Sequence, residues 1–188
     1  METITSTFRR IVTGHDANRK AIVVSDAAPE RTYMVGGPNG AKFFEVWNTA
    51  QTPAIIDNGS FDQETSLVLG PPKGGTRIRV IDFPPEGDEI RNLTKEEAAK
   101  HFKTMSDEHA SRAGDEAPHP LMHRTQTIDY GIVIEGELTM ILDRGETTVK
   151  AGDIVIQRGT NHAWANRTNK ICRVAFILID GQFEESLR

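Results

Sequence analysis

Cysteine is nearly absent from this 188-residue chain: Cys172 stands alone and cannot close an internal disulfide, so the fold must be held by its core. Ile171 precedes it and an apolar run over 174–179 follows, which marks a buried thiol rather than a reactive one, because apolar burial raises a thiol's pKa. Positive charge is also scarce. Lys and Arg total 22 against 27 Asp and Glu, for a formal net charge of −5, which argues against nucleic acid or an anionic membrane as a bulk electrostatic partner. Small molecules and other proteins remain. No segment approaches the roughly 20 apolar residues of a membrane span, and the opening METITSTFRRIVTGHDANRK lacks the apolar stretch of a signal peptide, so a cytoplasmic protein is expected. Internal repeats, low-complexity tracts and convincing linkers are missing too. The expectation is a single domain over 1–188, in which a chain of this length buries roughly two-thirds of its unfolded surface.

What is present is a series of short β-rich runs separated by turn residues, the pattern of an all-β barrel or sandwich. Residues 8–12, 21–24, 42–47, 66–69 and 76–83 are the expected strands of an N-terminal part over 1–85, punctuated by Gly36-Gly37-Pro38, Asn58-Gly59, Pro71-Pro72 and Gly74-Gly75. Within 76–83, Arg77 and Arg79 share one face and Ile78 and Val80 the other; the arginine face is expected to be solvated, the alternative being that it meets an anionic substrate at a barrel mouth. One helix is signalled within 94–110: Thr94 and Glu97 form a capping box, and no glycine or proline interrupts 96–110. Its span is predicted as 95–109, with Ala98, Phe102 and Met105 as the buried stripe and His101 and His109 as ordinary helix histidines. Five closely spaced strands follow over 128–134, 137–142, 146–149, 153–157 and 173–179.

The stretch HRTQTIDYGIVIEGE, followed by AGDIVIQRGTNHAWAN, resembles the two signature motifs of the cupin superfamily over about residues 117–181. In that resemblance His123 takes the first histidine position of the first motif, Asp129 the carboxylate and Gly136 the glycine, while His162 and Asn166 take the histidine and asparagine that end the second. Thr125 stands where a second histidine is usual, Asp129 replaces a glutamate, Gln157 replaces a proline, and the second motif is one residue shorter after Gly152. The phrases RRIVTGHDA, GGTRIRVIDFPP and QRGTNHAW further resemble a group of small bacterial and fungal cupins. The fold this implies is a double-stranded β-helix, a jelly-roll barrel, with one helix before the core motifs.

Positions 123, 125 and 129 differ by even numbers, so in an extended segment their side chains share a face, which the resemblance makes the barrel interior, with His162 across from His123. Two imidazoles and a carboxylate, His123, His162 and Asp129, are then the expected catalytic and metal-ligating set for a divalent ion such as Fe2+, Zn2+, Mn2+ or Ni2+. The chemistry expected is that of a metalloenzyme acting on a small organic molecule, as a lyase, decarboxylase, dehydratase, isomerase or dioxygenase. The alternatives are a metal-free His/Asp acid-base enzyme, a non-catalytic ligand-binding barrel and a structural dimerisation module. His119 is expected as a loop histidine that could turn inward, His15 as surface decoration, and Trp47, Tyr130 and Trp164 as packing aromatics. A homodimer is expected from the family's habit of pairing through N-terminal strands.

Overall fold

The computed structural model describes residues 7–59, 66–107 and 109–188; the first six residues of the opening segment, and position 108 near the end of the expected helix, lie outside this set. Isoleucine, valine and threonine are the commonest residues of the strand segments because β-branched side chains pack well on a pleated surface. Among the described residues the strands are β1 (Arg10–His15), β2 (Ala21–Ala27), β3 (Thr32–Val35), β4 (Ala41–Thr49), β5 (Thr76–Phe83), β6 (Thr127–Glu135), β7 (Glu137–Leu142), β8 (Glu146–Lys150), β9 (Ile154–Arg158), β10 (His162–Ala165) and β11 (Cys172–Asp180). Helices α1 (Asp88–Arg91) and α2 (Lys95–Lys103) separate β5 from β6. A six-stranded sheet runs β3-β4-β5-β11-β6-β9, a three-stranded sheet runs β10-β7-β8, and β1 and β2 pair as a separate hairpin.

The expected strand over 66–69 does not form. Leu67 and Leu69 are buried singly from an irregular segment whose Leu69 N–H donates to the Met105 carbonyl at 2.9 Å, so the apolar residues serve the core without a strand partner. The capping box on α2 is present, with the Thr94 hydroxyl accepting from Glu97 N–H and the Glu97 carboxylate from Thr94 N–H. The helix ends at Lys103 instead of 109; beyond it Ser106 takes a left-handed conformation (φ 58°), and Met105 and Ala110 are buried from the irregular segment.

The two side-chain faces of β5 are as expected, but the arginine face is not solvated: this central strand is covered on both sides, with Val80 buried on the other. Arg77 and Arg79 are 1% and 2% exposed and close on Glu45 of β4, with Arg77 Nη1 at 2.9 Å and Arg79 Nε at 3.1 Å from its two carboxylate oxygens. A second buried pair, Arg173 to Asp82, ties β11 to β5 through two hydrogen bonds of 2.6 and 2.7 Å. In β6 the face holding Thr127, Asp129, Gly131 and Val133 is buried, while Ile128, Tyr130, Ile132 and Ile134 point outward. Tyr130 is therefore 41% exposed, not a packing aromatic. Gly131 leaves room for the Phe176 ring, to which a Cβ there would come within 3.1 Å. Gly136 turns β6 into β7 with φ 81°, and a Cβ would press to 2.8 Å on the Ile171 carbonyl. Cys172 is fully buried, and burial pushes its thiol up to about 12.

Removing the shared carboxylate in Glu45→Ala takes away the counter-charge of two buried guanidinium groups, and urea denaturation should show a loss of about 3–5 kcal/mol. A midpoint unchanged from wild type would contradict the pairing.

Candidate functional site

The site is built by the backbone. His123 N–H donates to the His162 carbonyl at 2.8 Å and His162 N–H donates to the His123 carbonyl at 2.9 Å, an antiparallel hydrogen-bonded pair that adds residue 123 to the free edge of β10. Residues directly opposite in such a pair project side chains to the same face. The two imidazole centroids consequently lie 4.1 Å apart. Alternation along both strands sorts the neighbours. His123, His162 and Trp164 face the cavity between the sheets, whereas Met122, Ala163 and Ala165 join Ile141 in a small separate core on the other side. Phe102 of α2 stacks 5.0 Å from the His123 ring, and Trp164 sits 6.1 Å from His162, so both imidazoles are enclosed.

Hydrogen bonding fixes their tautomers. His123 Nδ1 lies 3.0 Å from the Leu121 carbonyl and His162 Nδ1 lies 2.9 Å from the Thr160 carbonyl. A carbonyl can only accept, so each Nδ1 carries the proton and each Nε2 keeps its lone pair. Burial holds His162 down at about 4; burial first, and then the His162 imidazole beside it, hold His123 well below the usual histidine range. Both rings are therefore neutral at pH 7, the state in which imidazole ligates metals.

Asp129 lines the same cavity, of about 170 Å³. It is 6% exposed, its Oδ1 is buried without a hydrogen-bond partner, and burial raises its pKa to about 6 against the opposing Thr127 hydrogen bond and Arg79 charge. Gln157, its cross-strand neighbour on β9, also lines the cavity, with its Oε1 buried and without a partner. The Gln157 amide N–H group donates to Thr160, the residue that holds His162, so the glutamine at the usual proline position braces the second histidine. Thr125, at the missing histidine position, faces the cavity but its hydroxyl is paired with Thr127 at 2.8 Å. Among the described residues, no three His, Cys, Asp or Glu side chains cluster closely enough to hold a metal ion. The cavity thus gathers all three expected residues on its walls, with the imidazoles adjacent and the carboxylate further along.

Sequence reasoning missed several lining residues. Glu86 follows Pro84-Pro85 and carries no motif signal, yet it lines the cavity and lies 3.1 Å from His119 Nε2. His119 is a loop histidine, as expected, and not an inward third imidazole; it is nonetheless 6% exposed and bonded to that carboxylate. His101, expected as an ordinary helix residue, also lines the cavity, and burial lowers its pKa. Helical spacing placed Phe102 correctly, and position 101 follows from the end of α2 leaning over the opening. Arg79 lines the cavity instead of facing solvent. His109 and His15 are exposed, Trp47 is half-buried on β4, and Trp164 lines the cavity as well as packing 5.6 Å from Phe176. Asn166, from the second motif, is structural: its side-chain amide donates to the Phe83 and Lys170 carbonyls at 2.8 and 2.7 Å.

The family described as "Cupin domain" (Cupin 2) matches residues 111–179. A cupin-domain-containing oxidoreductase of Aspergillus ruber is 30% identical, over 91% of this chain and 71% of its own length. Phomopsin biosynthesis cluster protein C' of Diaporthe leptostromiformis is 30% identical, over 94% of this chain and 80% of its own. Among solved structures, the Cnp3 cupin domain of Schizosaccharomyces pombe aligns over 93% of this chain and 89% of its own, at 13% identity and a TM-score of 0.44, a likeness too loose to bear on the site.

The titration of the site has a definite sign. A histidine lowered on folding stabilises fully above its ordinary value of 6.5, and that stability drains as pH falls through about 4, by roughly 3 kcal/mol for His162. Asp129, raised on folding, acts oppositely: its contribution is present below 3.8 and lost as pH rises through about 6. Unfolding free energy measured from pH 7 to 4 should fall, the fall should shrink in His162→Gln, and it should steepen in Asp129→Asn; equal slopes in all three would contradict these environments.

Proposed function

This chain belongs to the cupin family, and on that premise we propose that it is an enzyme acting on a small, largely apolar organic molecule, with His123 and His162 holding a divalent metal ion and Asp129 supplying the carboxylate. The observation that carries this is the pair of neutral imidazoles, each tethered through Nδ1 to a backbone carbonyl and each left with an unprotonated Nε2. That is the arrangement metal-ligating histidines adopt, since the tether fixes ring orientation and raises the basicity of the free nitrogen. The buried, partnerless Asp129 Oδ1 fits the same role. Fe2+, Zn2+, Mn2+ and Ni2+ all suit such donors. When bound, the ion would supply Lewis acidity or dioxygen activation.

The chain's own residues bind and orient. Phe43, Ile81, Met105, Phe176 and Leu178 form apolar walls, and a cavity near 150 Å³ accommodates a benzene-sized body, so about 170 Å³ suits one small ring or a short branched chain. A polar end of the substrate then meets His123, His162 and Asp129. Asp129, with its pKa near 6, can hold a proton at Oδ1 or give it up within that dry cavity. Oxidoreductase chemistry is the class favoured here, because relatives aligned over most of this chain carry that name. A second reading, acid-base catalysis by His162 and Asp129 without metal, is favoured by the lack of a three-residue ligand cluster among the described residues. We place the enzyme in the cytoplasm as a homodimer, the latter supported by the aliphatic outer face of β6 and β9, where Ile128, Ile132, Ile134, Ile154 and Ile156 are 36–64% exposed.

Elemental analysis of protein purified without added metal should find a divalent ion in wild type and lose it in both His123→Ala and His162→Ala. Retention in both variants defeats the ligand assignment. Metal-free wild type that is stabilised by small aromatic ligands in thermal-shift screening supports the acid-base reading instead.

A further inference from the structure

We propose that Glu86 and His119 are positioning residues that lock His123 in its Nδ1-protonated tautomer and so aim its Nε2 into the cavity. This deepens the reading of His123 as a working residue and rests on it. Residues 119–122 form a β-turn with Pro120 at the second position, closed by Met122 N–H donating to the His119 carbonyl at 3.1 Å. The His119 ring grips the same turn: its Nδ1 accepts from Leu121 N–H at 3.1 Å. A peptide N–H only donates, so Nδ1 is bare, the His119 proton sits on Nε2, and that N–H donates to Glu86 Oε2 at 3.1 Å.

The peptide joining Leu121 to Met122 is thereby clamped at both ends. Its N–H is held by the His119 carbonyl, and its C=O receives His123 Nδ1–H at 3.0 Å. The far end of the chain of contacts is anchored as well. Arg91 Nε donates to Glu86 Oε1 at 3.0 Å, Arg91 Nη2 donates to the Glu86 carbonyl at 2.9 Å, and Glu86 N–H donates to the Asn166 carbonyl at 2.8 Å. A continuous path thus runs from the asparagine of the second motif, through Glu86 and His119, to the histidine of the first. His162 is an internal control, because its own tether is the Thr160 carbonyl, which Gln157 braces independently of this path.

Long-range proton-nitrogen NMR of metal-free, 15N-histidine-labelled protein at pH 7.5 reads the tautomers directly. Wild type should show His123 and His162 each with a single Nδ1–H form. His119→Ala should convert His123 to a mixture or to Nε2–H while leaving His162 unchanged, and Glu86→Ala should move His123 the same way. His119→Asn should restore the wild-type pattern in part, to the level of Glu86→Ala, since an asparagine Oδ1 can accept the same N–H two residues on but no longer reaches Glu86. Zinc titration should show affinity weakened about 10-fold or more in His119→Ala. A pure Nδ1–H signal on His123 in folded His119→Ala or Glu86→Ala overturns the proposal. Wild type that takes up no zinc but shows the tautomer changes defeats the metal assignment and leaves the positioning roles standing.

Discussion

Two backbone hydrogen bonds, exchanged between His123 and His162, are the constraint on which the functional reading depends. They convert two stretches of sequence 39 positions apart into cross-strand neighbours, and a cross-strand pair has no choice about which face its side chains take. Everything else at the site refines that pairing. The carbonyls of Leu121 and Thr160 choose the tautomers, Phe102 and Trp164 enclose the rings, and the low local polarity keeps both imidazoles neutral. A barrel is suited to this because its interior positions alternate with exterior ones along every strand, so polar residues can be placed inward singly without disrupting the apolar wall.

The interior is more charged than an apolar barrel requires. Glu45 with Arg77 and Arg79 is buried on the cavity face of the six-stranded sheet, and Asp82 with Arg173 is buried on its opposite face, beside Phe8 and Phe44. Buried pairs of this kind contribute little net stability over well-packed apolar side chains, but a misregistered strand would leave a charge without its partner. Arg79 belongs to both worlds: it meets Glu45 on one side and its charge favours ionised Asp129 on the other. The Glu45 cluster and the site are therefore electrostatically continuous across β4, β5 and β6.

Much of the fold was legible because strand periodicity and turn chemistry are local signals. The five strands expected in the second half appear within a residue of their bounds, although β10, which carries His162, is not among them, and the Thr94–Glu97 capping box set the start of α2. The failures share one cause, which is tertiary context overriding local pattern. Arginine at alternate positions reads as a wet face until a buried glutamate on the neighbouring strand supplies its charge. Leu67 and Leu69 read as a strand, yet an irregular segment buries them equally well. At the site, spacing together with the family resemblance placed His123, Asp129 and His162 on one cavity, whereas the pairing of His119 with Glu86 became visible only when the turn at Pro120 brought them together. Nothing in the local sequence pairs position 86 with position 119.

X-ray absorption spectroscopy of protein loaded with one equivalent of Zn2+ or Co2+ tests the central claim most directly. The account predicts two imidazole nitrogen scatterers in the first coordination sphere of wild type, a signal lost in His123→Ala and in His162→Ala, which do not retain the ion. A wild-type spectrum with oxygen ligands only, or one unchanged by either substitution, would contradict it.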